Sequence, residues 1–552
     1  MSSKRVLIVG GVAGGASCAA RLRRMDEGAE IYLFERGPDV SFANCGLPYY
    51  IGGVIADRKN LLVATPEWFR DAFRIEVRTR CEVQRIDREG RTVEVRNVET
   101  GAVTTEAYDA LVLAPGAEPV RPPFPGIDLP GTFTLRNLQD VDQIDAWIRD
   151  RGAERAVVVG AGYIGLEMVE NLSRRGLEVT VLELLDQVMP PMDPEMVAPV
   201  HDLLREEGVD LRLSQGVSAF EPGEDDRVNV LCQRGERFPA DVVIVAMGVR
   251  PEVKLAREAG LEIGSCGGIR VDEQMRTSDP NIYAVGDAVE VRDWITGRWT
   301  LIPLAGPANR QGRVAADAIA GRPARFRGTQ GTAVVGLFGL TLAMTGASEK
   351  ALRAAGLPFA KSYTHTLHHA GYYPGAARIA LKLLFEPESG RVLGAQAVGQ
   401  EGVEKRIDVL AMAIQKQATV YDLEEAELCY APQYGSAKDS VNVAGFVAAN
   451  RLRGDLDDVH WEQWNPDDAD GPLVIDVRRH DEVAAEAVPG TLNVPLGELR
   501  NRLDELPRDR ELWVHCGVGQ RSYYAFRILK QHGFWVRNLS GGMTSWKAAA
   551  KR

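Results

Sequence analysis

"KRVLIVGGVAGGASCAARLRR", residues 4–24, decides the fold. A short apolar run passes into Gly-rich residues and then a helical pattern, so the stretch reads as strand, turn, helix. Gly10 gives the tight turn, Gly14 and Gly15 let backbone and helix pack closely, and the helix N-terminus faces a pyrophosphate. About 20 residues on, the strand "IYLFE" ends in Glu35, placed to accept a hydrogen bond from a ribose hydroxyl. Val12 stands where GxGxxG expects its second glycine, so this copy alone also fits a Gly-rich structural turn.

The pattern recurs about 150 residues later. "RAVVVGAGYIGLEMVENLSRRGLEVTVLE" (155–183) carries Gly160, Gly162 and Gly165 in full register and ends its second strand in Glu183. An acid there favours a free 2′-hydroxyl, hence NADH over NADPH; the alternative is a solvated strand end. Two copies predict two dinucleotides, one per domain. "DALVLAPGAEP" (109–119) reads as a strand entering a Gly turn, and "RTSDPNIYAVGDAVEV" (276–291) as a strand ending at Gly286 and Asp287. Asp287 suits a ribityl hydroxyl near the pyrophosphate, which makes the first dinucleotide a flavin; the alternative is a helix N-cap.

The bulk numbers fit a multidomain enzyme. The chain has 552 residues, enough for three or four domains, and a net charge of -12 that argues against nucleic acid or an anionic membrane as the main partner. Seven scattered cysteines without CxxC spacing form neither a disulfide framework nor a metal site, and fit a reducing cytoplasm. No signal-peptide pattern and no apolar run of about 18 residues is present, so a soluble protein is expected.

"SFANCGLPYYIGG" (41–53) holds Cys45 alone; the next cysteine is Cys81. With the two Gly motifs and "IYAVGDA", this segment resembles the pyridine nucleotide-disulfide oxidoreductases, over about residues 4 to 450. The single cysteine resembles the branch of coenzyme A disulfide reductases, NADH oxidases and NADH peroxidases. That resemblance implies an electron path from NADH (or NADPH) through FAD to Cys45. It places FAD contacts at Gly10, Val12, Ala13, Gly14, Gly15, Glu35, Arg36, Ala114, Gly116, Gly286, Asp287 and Ala305. It places nicotinamide-dinucleotide contacts at Gly160, Gly162, Tyr163, Ile164, Gly165, Glu167 and Glu183, with Glu167 near the nicotinamide.

Without a neighbouring cysteine, Cys45 takes an external partner: as a sulfenic acid, as a mixed disulfide with a small thiol, or as a persulfide. Attack requires the thiolate, so a lowered pKa from a helix N-terminus or positive neighbours is expected. Peroxidases and oxidases of the branch usually carry a histidine in the first Gly-rich turn; here Ala13 stands there. The stretch resembles coenzyme A disulfide reductases instead, which implies a coenzyme A site at Ser17, Arg21, Arg24, Ser41 and Asn44. Arg21 and Arg24 share a helix face and suit a phosphorylated adenosine; the alternative is a solvated basic face.

"HHAGYYPGA" (368–376) and "ELCYAPQYGSAKDSVN" (427–442) resemble the same branch, in which tyrosines of a dimerisation domain reach the partner's flavin site. Spacing favours Tyr372 and Tyr430, with Tyr373 and Tyr434 as alternatives; a phenol donates a proton to a departing thiolate. Lys438 matches a coenzyme A contact and Asn309 a substrate-site position. A homodimer follows from the resemblance.

The C-terminal stretch resembles a rhodanese domain, carried by "PLVIDVRRHDEV", "PGTLNVPL" and "LWVHCGVGQRS". The strand delivers Cys516 into a six-residue loop closed by Arg521, which suits a persulfide anion held by backbone N–H groups and positive charge. Asp476 is read as a fold-fixing residue. The usual histidine before "PG" is missing, with Ala487 and Val488 in "EAVPGT", and a cost in stability is expected. A phosphatase and a docking-only module are the weaker readings.

The expected architecture is α/β: two Rossmann-like dinucleotide-binding domains, an α/β dimerisation domain and a C-terminal rhodanese α/β domain. The boundaries are 1–120 and 246–325 for FAD, 121–245 for NAD(P)H, 326–448 for dimerisation, 449–459 as a polar linker without a strand, and 460–552 for rhodanese. The expected activity is reduction of coenzyme A persulfide, polysulfide or coenzyme A disulfide, with Cys516 relaying sulfane sulfur. The competing expectations are an NADH oxidase or peroxidase and a non-turnover thiol redox sensor.

Overall fold

The computed structural model describes residues 4–224, 227–465, 468 and 470–550, the last two of these by backbone only. The chain forms two compact units, Met1–Val188 with Leu204–Gly331, and Met189–Leu203 with Thr332–Arg552.

The first unit holds two five-stranded parallel sheets that share the arrangement of four strands, while the fifth, an outer strand, comes last along the chain in one and first in the other. In one, Arg5–Val9 lies between Glu30–Phe34 and Ala110–Leu113, flanked by Glu76–Arg78 and Ile282–Ala284. In the other, Arg155–Val159 lies between Glu178–Leu182 and Val242–Val245, flanked by Asp210–Arg212 and Thr132–Phe133. Ala110–Leu113 and Val242–Val245 are buried at every position, which is why they read as unbroken apolar runs rather than alternating ones.

The second unit begins with an antiparallel sheet. The run "VVGLFGLTLAMTG" (334–346), which reads in the sequence as one continuous apolar strand, is a hairpin of Ala333–Leu337 and Leu340–Gly346. Its two-residue turn puts Phe338 at φ 47° and Gly339 at φ 81°, the left-handed pair a tight hairpin requires. A phenylalanine is a poor turn signal, so the sequence hid the break.

The rhodanese-like part is a five-stranded parallel sheet in the order Asp458–Val459, Val536–Leu539, Leu512–His515, Leu473–Asp476, Leu492–Asn493. The segment expected as a linker is structured. The helix Ser440–Leu452 runs into it, and Asp458–Val459 is an edge strand of the sheet. Arg451 clamps Asp458 at 2.5 Å, so the polar residues that looked like a tether are partners of one another. Val488 fills its place by apolar packing with Trp461, Trp513 and Met543.

Lys382 is 0% exposed, and its ammonium sits among Asp193 (2.7 Å), Glu349 (2.5 Å) and Glu195. The three carboxylates thus surround a built-in cation. Lys361 joins Glu349 at 3.0 Å and also meets Glu462, tying the dimerisation sheet to the start of the rhodanese-like part.

Candidate active sites

Both Gly turns are built alike. Gly10 (φ 96°) and Gly160 (φ 102°) take left-handed conformations, so only glycine turns the chain there without strain. Val12 and Gly162 open the helices Ala13–Met25 and Tyr163–Arg174 with negative φ of -99° and -80°. A Cβ at Gly162 would meet no atom within 4 Å, which explains why valine is accepted at the same place in the first copy. The two strand-end acids are equivalent as well. Glu35 accepts from Gly11 N (3.0 Å) and Gly37 N (2.9 Å), and Glu183 from Ala161 N (2.8 Å) and Leu185 N (2.9 Å). Glu183 is buried, so it is not a solvated strand end.

The residues fit two dinucleotides. The helices starting at Ala13, Tyr163 and Ala305 have no side-chain cap, so their N-terminal ends suit an anionic phosphate. Asp287 lies in a short 3₁₀ turn rather than capping a long helix, and burial pushes its carboxyl up, with Arg136 acting against this. Gly116 (φ 77°) and Gly286 (φ 84°) turn the two neighbouring strand ends. Ala114 N closes the first of these ends onto Val9 O at 2.7 Å. Arg36 pairs with Glu252 at 3.0 Å. Burial raises Tyr163 to about 12, whereas Ile164 is exposed.

Cys45 is exposed on the 3₁₀ turn Asn44–Gly46, which continues into the helix Leu47–Ile51. The expected lowering of its pKa is not found. Partial desolvation raises the thiol, Glu167 and Asp287 raise it further, and only its own backbone N–H works the other way. No cation figures among these influences. Sequence reasoning missed Tyr49, whose phenol donates to Glu167 Oε1 at 3.1 Å; its spacing of one helical turn from Cys45 was the available signal.

The candidate coenzyme A residues fall partly together. Ser17 donates to Asn309 Oδ1, joining the helices Ala13–Met25 and Ala305–Ile319. Arg21 is not the free guanidinium expected: Asp317 holds it through two hydrogen bonds of 3.0 and 3.2 Å. Arg24 is exposed and has no partner among the described residues. Ser41 takes φ 49°, and Asn44 donates to Arg136 O at 3.0 Å. In the second unit, Lys438 is exposed just before the cap Asp439. The Tyr372 and Tyr430 hydroxyls lie 3.0 Å apart, with Tyr372 77% exposed. Tyr373 and Tyr434 are exposed without joining that pair.

Cys516 is 0% exposed at the end of the strand Leu512–His515. Gly519 N donates to its Sγ at 3.2 Å, and Gly519 takes φ 99° to begin the next helix. The loop rests on Gly542, where a Cβ would lie 3.0 Å from both Val518 N and Gly519 N. Arg521 closes the loop and sets its guanidinium against Cys516 through a hydrogen bond and charge, but shares it with a carboxylate. Glu482, not singled out in the sequence, binds it at 2.7 and 2.8 Å and holds the guanidinium above its usual range. Asp476 is buried and accepts four hydrogen bonds from Arg478, a structural role.

Paired dinucleotide folds, one lone thiol and a second thiol in a short anion-binding loop define a nucleotide-dependent oxidoreductase with a sulfur-handling domain. The chain belongs to the pyridine nucleotide-disulphide oxidoreductase family. Residues 4–312 match that family, 332–440 its dimerisation domain, and 460–549 the rhodanese-like domain. It is an enzyme that uses FAD and NAD(H), and its dimerisation domain makes a homodimer the expected assembly. A coenzyme A disulfide reductase of Staphylococcus epidermidis is 39% identical over 445 residues, 80% of this chain and 99% of that protein. Reduced Bacillus anthracis CoADR-RHD is 46% identical, with a TM-score of 0.97 over 100% of this chain and 99% of its own. An NAD-dependent persulfide reductase from A. fulgidus is 41% identical, with a TM-score of 0.92 over 98% of this chain and 100% of its own. No helix among the described residues is long and apolar enough to cross a membrane.

Proposed function

We propose that this chain reduces coenzyme A persulfide, polysulfide or coenzyme A disulfide, with Cys45 attacking the S–S bond and Cys516 relaying sulfane sulfur. The observation that carries this reading is the pair of thiols: Cys45 exposed with no resolving cysteine, and Cys516 enclosed in a loop that offers it a backbone N–H. The named relatives support it, since one reduces coenzyme A disulfide and another persulfide. With Ala13 in the first turn, the histidine associated with peroxide chemistry is absent from this position.

FAD and NADH, when bound, supply the two electrons of the reaction. Residues around Gly10, Glu35 and Asp287 would hold the first, and those around Gly160 and Glu183 the second. The Cys45 thiolate breaks the S–S bond of the substrate, forming one S–S bond to itself and releasing one thiolate. For a coenzyme A persulfide the sum is CoA–S–SH + NADH + H⁺ → CoA–SH + H₂S + NAD⁺. Ser17, Asn309, Arg24, Asn44 and Lys438 are assigned to coenzyme A, with Arg21 braced by Asp317. Tyr372 and Tyr430, whose phenols share a hydrogen bond, are assigned to protonate the departing thiolate in the partner's site. The flavin domain is assigned to 1–120 with 246–325, around a nicotinamide domain of 121–245.

Cys516→Ser tests the relay. Turnover on polysulfide is expected to be lost while NADH still bleaches the flavin. Full polysulfide activity in that variant contradicts the relay.

A further inference from the structure

The helix Leu47–Ile51 packs on the helix Tyr163–Arg174, and polar contacts fix the pair in one arrangement. Arg175 donates to Ile51 O at 3.2 Å, and Asn171 donates to Glu167 O at 2.8 Å. Gly52 has no room for a side chain, because a Cβ would sit 2.7 Å from Asn171 Cγ. Through this contact the Tyr49 phenol reaches Glu167 at 3.1 Å, one turn along the chain from Cys45. The charged groups facing the site are Glu167, Asp287 and Glu170; Glu170 is neutralised by Arg174 at 2.9 Å. The cation acting on Asp287 is Arg136, itself paired with Glu252 at 3.0 Å.

We propose that Tyr49 is a positioning residue for Cys45: its phenol fixes the Glu167 carboxylate as an anion within electrostatic reach of the thiol, and the pair governs how readily Cys45 ionises. This rests on the reading of Cys45 as the attacking thiol. An anion beside a thiol disfavours the thiolate, and a donor to that anion keeps it charged. Burial, with Glu170 adding, raises the Glu167 carboxyl above its usual range, and the Tyr49 hydrogen bond limits that rise. Glu167 therefore acts against ionisation of the lone cysteine, which slows oxidation of a thiol that has no resolving partner to rescue it.

The test is the pH dependence of iodoacetamide alkylation at Cys45. It is followed by mass spectrometry of the Cys45 peptide, on pre-reduced FAD-loaded enzyme without sulfur substrate. Glu167→Gln and Tyr49→Phe are both expected to move the profile to lower pH by about one unit, a roughly tenfold faster alkylation on the rising limb. The double variant is expected to match Glu167→Gln alone, because Tyr49 acts through Glu167. A Tyr49→Phe profile that overlays the wild type, or a double variant that shifts beyond Glu167→Gln, overturns the proposal. Loss of persulfide turnover leaves this readout intact, so the two readings fail separately.

Discussion

Gly160→Ala and Gly162→Ala add the same methyl group two residues apart, and the structure separates their consequences. At Gly160 the backbone is left-handed at φ 102°, and a Cβ would lie 2.9 Å from Ala246 C and closer still to its oxygen. The left-handed conformation costs an alanine about 1–2 kcal/mol, and overpacking against backbone costs about 1–3 kcal/mol more. The sum, about 2–5 kcal/mol, falls on the strand-to-helix turn that presents N–H groups to NADH. At Gly162 neither term applies: φ is -80° and the Cβ position is open. Only close approach of a pyrophosphate would notice the methyl group. The assay is a thermal melt of the FAD-loaded enzyme beside anaerobic stopped-flow reduction of its flavin by NADH. Gly160→Ala should lower the melting temperature and reduction together. Gly162→Ala should melt like the wild type while needing more NADH for half-maximal reduction. Equal destabilisation by both variants would refute the reasoning.

Other outcomes follow from the same geometry. Tyr372→Phe and Tyr430→Phe should each slow turnover on the sulfur substrate, by about 10²-fold if the phenol is the proton donor, with melting unchanged because both are exposed. Arg24→Met should raise KM for a coenzyme A substrate and leave stability within about 0.5 kcal/mol, since Arg24 is exposed and unpaired among the described residues. Burial, with Arg478 adding, lowers His515 to about 4 although Asp476 opposes this, against about 6.5 in an unfolded chain. The unfolded chain then binds the extra proton between about pH 4 and 6.5, so His515 removes about 3 kcal/mol of stability as pH falls through that window. Melting curves of His515→Gln should therefore gain on the wild type as pH drops from 7 to about 4.5.

The sequence was most legible where backbone geometry demands a residue type. Gly10 and Gly160 are needed for left-handed turns, and the acids Glu35 and Glu183 close onto those turns, so motif and structure coincide. Cys516 was legible for the same reason, as its short loop ends in a glycine of positive φ, Gly519. Partners distant along the chain were not legible. Asp317 pins Arg21 from 296 residues away, and Glu482 holds Arg521 from 39 residues away. Neither could be read from a helix face or a loop length. Lys382 and its three carboxylates come from separated segments that only the fold assembles. The hairpin at Phe338 and the two-residue strand Asp458–Val459 were hidden because one has an unusual turn residue and the other is too short for a period.

The measurement that bears most directly on the account is anaerobic NADH oxidation by the purified enzyme, with coenzyme A persulfide, polysulfide and coenzyme A disulfide compared side by side and sulfide followed throughout. The account predicts fast turnover on persulfide and polysulfide, with one sulfide released per NADH on coenzyme A persulfide. Turnover on coenzyme A disulfide alone, with no sulfide from any substrate, would contradict it.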